Sequence, residues 1–124
     1  MGTLFLSDLD GTLLSSGGRV SSASADMLNA AVGPQKLFSV ATARSYDTAA
    51  ELMRGINTNA PAVLLNGALI CGLASGRIYS YSALKADTAR RIFEIFAEHG
   101  RAPFCYFLKS ADTAASVTLE YIAP

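Results

Sequence analysis

Two aspartates separated by one residue are the side chains of this 124-residue sequence best suited to chemistry. Asp8 and Asp10 follow the apolar run Thr3–Ser7 and precede a turn at Gly11. Alternate residues of an extended chain point to the same side, so the two carboxylates can project together. Carboxylates this close repel each other unless a cation or a shared proton lies between them. The spacing therefore favours a site for Mg²⁺, which binds hard oxygen ligands, including carboxylates and substrate phosphates.

The same pair can carry out phosphoryl transfer. With the charge neutralised, one carboxylate can attack phosphorus and form an aspartyl-phosphate. The other can protonate the leaving oxygen and later activate a water molecule. Gly11 permits a sharp turn, and Thr12 adds a hydroxyl and a backbone N–H. The alternative is a polar turn without function, because Asp and Gly favour turns for local reasons. The position directly after an apolar strand favours the catalytic interpretation.

Strand-like and helix-like segments alternate along the first half of the sequence. Apolar runs at 3–7, 37–41 and 62–65 have the length of strands. Helices are predicted between them, from Ser21 or Ser22 to Val32 and from Ser45 towards Gly55. Near-continuous apolar strands separated by helices predict an α/β fold with buried strands in a parallel sheet that is covered on both faces.

Each of these three predicted strands ends in a polar residue, at Asp8, Thr42 and Asn66. In parallel sheets of this kind, ligands bind at the carboxyl ends of the strands. We therefore expect the three side chains to meet at one site. For Asn66 the alternative is an ordinary Asn-Gly turn, which is a strong hairpin signal by itself.

The segment Thr42-Ala43-Arg44-Ser45 leads into a predicted helix. A hydroxyl, free backbone N–H groups and a helix N-terminus together can bind an anion. The alternative is that Ser45 only caps the helix and that Arg44 is a solvated surface charge. The neighbouring Asp8 favours phosphate binding.

The heptapeptide Asp8-Leu9-Asp10-Gly11-Thr12-Leu13-Leu14 resembles motif I of the haloacid dehalogenase superfamily, most of whose members are phosphatases. The resemblance implies a Rossmann-like α/β core in which Asp8 is the nucleophile and Asp10 the general acid/base. It implies Mg²⁺ as cofactor, bound by the Asp8 carboxylate and the Asp10 backbone carbonyl. It also implies a phosphate-binding set and substrate-side candidates: Leu9, Thr42, Ala43 and Arg44 for the phosphate, Thr12 and Asn66 for the rest of the substrate.

The second half of the sequence is similar to the start of a cap. Asn66-Gly67-Ala68 resembles the Asn-Gly-Ala of the Cof-type (IIB) branch, whose members carry a large α/β cap. A hairpin of strands 69–71 and 78–81 is predicted first. A helix from about 86 to His99 follows, and then two more strands at 103–108 and 116–122. We therefore expect a core over 1–81 and an incomplete cap over 82–124.

Two parts of the family's machinery are not recognisable in the sequence, the motif III lysine and the acidic Gly-Asp loop of motif IV. Lys36, Lys85 and Lys109 lie in no matching context, and no Gly-Asp pair occurs. The sequence thus matches about the first half of a family member and is expected to hydrolyse phosphomonoesters poorly by itself. The strand around Leu4–Leu6 should then have an unpaired edge, open to self-association or to a companion segment.

Composition sets the remaining expectations. Ten basic and ten acidic residues give zero net charge, which argues against a nucleic-acid partner. The short apolar run at the start of the sequence is not expected to act as a signal peptide, and no apolar stretch approaches the ~18 residues that span a bilayer, so we expect no membrane partner and a cytoplasmic location. Cys71 and Cys105 have apolar flanks and are expected to be reduced and buried.

The leading hypothesis is a Mg²⁺-dependent phosphohydrolase that acts on a small phosphorylated metabolite, such as a sugar phosphate. One alternative is a non-catalytic remnant, or half of a split enzyme, that binds Mg²⁺ or phosphorylated ligands. Another is a phosphomutase, because phosphomannomutases share these N-terminal motifs.

Overall fold

A computed structural model describes residues 1–122 of the chain. Strands and helices alternate along them in this order: β1 (Thr3–Ser7), α1 (Ser22–Ala31), β2 (Lys36–Val40), α2 (Tyr46–Leu52), β3 (Ala62–Leu64), β4 (Leu69–Cys71), β5 (Ile78–Tyr81), α3 (Ala86–Glu98), β6 (Phe104–Leu108) and β7 (Val117–Tyr121). Every predicted strand and helix is present, with ends shifted by a few residues at most.

The first three strands run parallel, as predicted. β1 pairs with β2, so that Thr3 lies opposite Lys36 and Ser7 opposite Val40. The sheet continues to β3 through a parallel bridge between Ala41 and Val63. The α/β fold with a parallel sheet is therefore confirmed, and the carboxyl ends of all three strands lie at one edge.

β3 is only three residues long, and Asn59, which lies just before it in the sequence, bonds to the part of β2 that β3 does not reach. Its backbone N–H donates to the Phe38 carbonyl at 3.2 Å. Its side-chain Oδ1 accepts from the Phe38 N–H at 2.8 Å, and its Nδ2 donates to the Gly33 carbonyl at 3.0 Å. These bonds satisfy backbone groups that the short β3 leaves unpaired.

Beyond β3 the chain folds back on itself. β4 pairs antiparallel with β3 and with β5, which gives the neighbour order β1-β2-β3-β4-β5. β6 and β7 form a separate antiparallel hairpin. On one face of this hairpin four large apolar side chains are exposed: Phe104, Tyr106, Leu119 and Tyr121.

The core lies between the central strands, α2 and the turn of the β6–β7 hairpin. Ala114 from that turn and Val117 at the start of β7 are buried in the same cluster as Val40 and Leu64. The Ala114 N–H also donates to the Gly76 carbonyl at 2.8 Å. The hairpin turn is thus fastened to the β4–β5 loop. The predicted boundary at residue 82 stays a prediction, and the last two residues of the predicted 82–124 cap segment lie outside the described residues.

The first strand is more exposed than the sequence indicates. Its apolar residues predict a buried strand, yet Leu4, Phe5 and Leu6 are 48%, 55% and 48% exposed. Within residues 1–122, β1 has β2 as its one neighbouring strand. A strand paired on one side leaves its second edge and much of its side-chain surface in water. The expectation of burial was therefore wrong, whereas the unpaired edge is present.

Two further expectations concern the cysteines and the membrane. Cys71 is buried, Cys105 is half-buried, and both are free thiols. Among the helices of residues 1–122, none has the length and apolar character needed to cross a bilayer.

Candidate active site

A cavity of about 490 Å³ opens at the carboxyl ends of β1, β2 and β3. Polar residues that follow all three strands line it, as the parallel topology predicts. The lining consists of Asp8, Asp10, Ala41, Thr42, Ala43, Val63, Asn66 and Gly67.

The loop after β1 presents its two carboxylates by burying the leucine between them. Asp8 is still extended, and a tight, non-helical loop follows over Leu9–Leu13, closed by a hydrogen bond of 3.0 Å from the Leu14 N–H to the Leu9 carbonyl. Leu9 is fully buried in the core. Gly11 has a φ of +75°, a left-handed conformation that glycine adopts without steric cost. Asp8 and Asp10 are therefore exposed at the cavity while Leu9 anchors the loop.

The Asp8 carboxylate is held in place by its own loop. Its Oδ1 accepts a hydrogen bond from the Leu9 N–H at 2.7 Å. The Asp8 carbonyl accepts from the Ser7 hydroxyl at 2.8 Å. In this state the Leu9 N–H, which the resemblance assigns to phosphate, is bonded to Asp8 instead.

The most specific contact at the site is a bidentate ion pair between Asp10 and Arg44. Arg44 Nε lies 2.8 Å from Asp10 Oδ2, and Arg44 Nη2 lies 2.7 Å from Asp10 Oδ1. The bonds to Arg44 lower the pKa of Asp10, and the same bonds raise the pKa of Arg44. Both groups are thus held in their charged forms, and the loops after β1 and β2 are joined.

Sequence analysis did not identify this ion pair. It assigned Arg44 to phosphate binding, with a solvated surface charge as the alternative. The available signal was the placement of opposite charges at the ends of two predicted neighbouring strands. That signal is weak, since the partners are 34 residues apart in sequence.

Thr42 is buried at the base of the cavity, with 7% of its surface exposed. Its N–H donates to the Val63 carbonyl at 2.9 Å, which continues the β2–β3 pairing. Its Oγ1 accepts from the Arg44 N–H at 3.2 Å. Ala43 between them is exposed and lines the cavity. The hydroxyl of Thr42 is therefore held in a fixed position at the site.

The loop after β3 is bonded to the loop after β2. The Leu65 N–H donates to the Arg44 carbonyl at 3.2 Å. Leu65 and Asn66 have φ values of +51° and +55°. Left-handed backbone is uncommon for residues other than glycine, least so for Asn, and such strain concentrates at functional sites. Asn66 lines the cavity, whereas Thr12 is exposed in its loop and lies outside the lining.

The donors at the cavity fit a hard divalent cation. Asp8 supplies a carboxylate, and the carbonyl of Asp10 remains outside its ion pair with Arg44. Oxygen-only donors suit Mg²⁺ better than softer metals. Within residues 1–122 no three His, Cys, Asp or Glu side chains cluster as a metal site. The residues described can thus hold part of a Mg²⁺ shell.

Comparison with protein families identifies the chain. A family model described as haloacid dehalogenase-like hydrolase matches residues 5–118. The chain belongs to the haloacid dehalogenase-like hydrolase family. The recognition based on motif I is therefore confirmed. None of the curated proteins compared with the chain matches it.

Solved structures of haloacid dehalogenase-like proteins have the same fold. One from B. subtilis has a TM-score of 0.70 at 27% identity, over 84% of this chain and 36% of that one. A phosphatase of the superfamily from Bacteroides thetaiotaomicron has a TM-score of 0.71 at 26% identity, over 100% of this chain and 43% of that one. A subclass IIB sugar phosphatase has a TM-score of 0.63 at 22% identity, over 86% and 41%. The chain thus spans less than half the length of these relatives.

Proposed function

We propose that the protein acts in Mg²⁺-dependent hydrolysis of a small phosphorylated metabolite, through an aspartyl-phosphate on Asp8. The observation that supports this most is the convergence of Asp8, Asp10 and Thr42 on one cavity. A nucleophile and a proton carrier at the end of β1, with a hydrogen-bond donor for phosphate at the end of β2, suit phosphoryl transfer, which depends mainly on positioning and charge stabilisation.

The reaction has two steps. An Asp8 carboxylate oxygen attacks phosphorus and the bond to the leaving oxygen breaks, while Asp10, which enters this step in its protonated form, gives that oxygen its proton. Water then attacks phosphorus, Asp10 takes its proton, and the bond to Asp8 breaks to release phosphate. The Thr42 hydroxyl and the Ala43 N–H bind the phosphate oxygens. Bound Mg²⁺ supplies positive charge that offsets the repulsion between the carboxylate and the phosphate.

The substrate is proposed to be a small phosphorylated metabolite, for example a sugar phosphate. The cavity of about 490 Å³ lies in the range of roughly 300–1,000 Å³ usual for small-molecule pockets. The superfamily phosphatase that is 26% identical supports the reaction class.

A second candidate is a module that binds Mg²⁺ and phosphate but turns over slowly by itself. It is favoured by the donors described within residues 1–122, which supply only part of a Mg²⁺ shell. It is favoured also by the cation beside Asp10, which is Arg44 and not a lysine. We therefore expect the 124-residue chain to bind these ligands and to hydrolyse phosphomonoesters poorly.

Beryllofluoride tests the proposal, because it mimics a phosphoryl group on a carboxylate. Fluorine NMR of the chain with Mg²⁺ should show a bound signal that Asp8→Asn abolishes. Asp26→Asn, at an exposed position on α1, is the control and should retain the signal. The proposal is wrong if no Mg²⁺-dependent signal forms. Rapid hydrolysis of p-nitrophenyl phosphate by the same chain would instead contradict the second candidate, which binds these ligands but turns over slowly.

A further inference from the structure

The ion pair between Arg44 and Asp10 differs from the other ion pairs of the described residues. Arg90–Asp87, Arg91–Glu94 and Arg91–Glu98 lie along α3, Arg54–Glu51 lies at the end of α2, and Lys109–Glu120 joins the end of β6 to β7. Arg44 instead engages both oxygens of Asp10 from a different loop. A bidentate guanidinium–carboxylate contact is stronger and more specific than an exposed ion pair with one hydrogen bond.

The backbone of Arg44 is fixed, so its side chain is the part that can move. Its N–H donates to Thr42 Oγ1 at 3.2 Å, and its carbonyl accepts from the Leu65 N–H at 3.2 Å. Its side chain is 36% exposed and that of Asp10 59% exposed. The guanidinium therefore extends from a fixed backbone and contacts Asp10, which lines the cavity, so that side-chain rotation alone can carry it from one anion to another.

A phosphate group in the cavity would compete with Asp10 for this guanidinium. Thr42 and Ala43, the two residues before Arg44, line the cavity. The planar guanidinium group can donate two hydrogen bonds to either a phosphate or a carboxylate, and the phosphate dianion carries more charge than the carboxylate. Resting on the proposed function, we propose that Arg44 is an exchangeable clamp. It binds Asp10 in the ligand-free site and transfers to phosphate on ligand entry, which releases the Asp10 carboxylate.

The exchange gives the site an order of events. Before a ligand binds, both Asp10 oxygens are engaged by Arg44 and the side chain is turned towards the loop after β2. When phosphate takes the guanidinium, Asp10 is free to approach the leaving oxygen. Arg44 thus acts on Asp10 as a positioning residue.

A double-mutant cycle tests the clamp, with orthophosphate as the probe and Mg²⁺ present throughout. Calorimetry should show that Asp10→Asn tightens phosphate binding about 3- to 10-fold, since the guanidinium is freed. Arg44→Ala should weaken it about tenfold. In the Arg44→Ala background, Asp10→Asn should change it less than about twofold, because the competition is gone. The control pair Arg54→Ala and Glu51→Gln, at the C-terminal end of α2, should leave binding unchanged.

Side-chain NMR reports the exchange directly and does not require a variant to fold. The Arg44 Nε–H signal is expected to shift on saturation with phosphate, because this group donates to Asp10 Oδ2 in the free protein. Arg44→Lys keeps the positive charge but cannot make the bidentate contact. This variant should still bind phosphate, and Asp10→Asn should tighten its phosphate binding less than it does in the unmodified chain.

The outcomes separate the two proposals. If phosphate binds but Asp10→Asn tightens it equally in both backgrounds, or the Arg44 Nε–H signal stays unmoved, the clamp is wrong and the proposed function stands. If the unmodified chain binds no phosphate in the presence of Mg²⁺, the proposed function fails and the clamp with it.

Discussion

The backbone N–H of Asn66 donates a hydrogen bond of 3.3 Å to the carbonyl oxygen of Thr42. This contact joins the loops after β2 and β3 at the cavity. Asn66 makes it from a left-handed conformation, with φ of +55° and ψ of +34°. The shape of the candidate site thus depends on a backbone conformation that few residue types adopt readily.

Replacing Asn66 by valine should destabilise the protein. A β-branched residue in left-handed backbone costs roughly 1–2 kcal/mol, so Asn66→Val should lower the free energy of unfolding by about that amount. Asn66→Gly is the matched control and should cost less, since glycine adopts this conformation freely. Urea denaturation measures both. Equal losses for the two variants would show that the conformation is not the cause.

Removing the hydroxyl of Ser39 should stabilise the protein. Ser39 is fully buried on β2, and its Oγ has no hydrogen-bond partner within residues 1–122. An unsatisfied buried polar group costs about 1–3 kcal/mol, so Ser39→Ala should raise the free energy of unfolding by about 1 kcal/mol.

A second serine serves as the matched comparison for Ser39. The Ser116 hydroxyl donates to the Ser110 carbonyl at 2.7 Å and accepts from the Ser110 N–H at 3.0 Å. Ser116→Ala should therefore lower the free energy of unfolding, by about 1 kcal/mol. Chemical denaturation of both variants decides the matter, and a loss of stability in Ser39→Ala would contradict the prediction.

Stability should fall at alkaline pH because of Cys71. Burial raises the pKa of this thiol from 9.0 to about 11. The unfolded chain therefore loses the proton at a lower pH than the folded chain does. The buried neutral thiol therefore stabilises the folded state by about 1–3 kcal/mol. This stabilisation is complete below pH 9 and is lost as the pH rises towards 11.

Comparison of two cysteine variants isolates this effect. Cys71→Ala should show a smaller decrease in the free energy of unfolding between pH 9 and pH 11 than the unmodified chain. Cys105→Ala, at a half-buried position, should retain the full decrease. Burial also raises the pKa of Tyr46, but that contribution is common to both variants. Parallel curves for all three proteins would exclude Cys71 as the source.

We propose that the open edge of β1 mediates self-association or recruits a companion segment. Phe5 is 55% exposed on this strand, and unpaired apolar edges recruit further strands. Sedimentation should show association that increases with protein concentration and that Phe5→Lys reduces. Tyr79→Lys, on an exposed position of β5, is the control. A chain that stays monomeric at all concentrations would contradict the proposal.

The architecture and the meeting of Asp8, Thr42 and Asn66 could be predicted because their signals are local. Apolar runs mark the strands, and parallel topology then brings their carboxyl ends together. Neither the Asp10–Arg44 pair nor the role of Asn59 could be predicted in this way, since each depends on side-chain positions across distant segments. The exposure of Leu4 could not be predicted either, because hydropathy does not reveal how many neighbours a strand has.

The turn between β6 and β7 carries a mechanical consequence. Ala114 is buried there and its N–H is bonded to the Gly76 carbonyl, whereas the rings of Phe104 and Tyr121 contact each other at the exposed far end, tilted by 50° with centroids 5.2 Å apart. A force applied to those two rings is transmitted along both strands to the β4–β5 loop. Moving the hairpin away from the rest of the protein therefore requires its turn to separate from the core, which exposes Ala114 and Val117 to water.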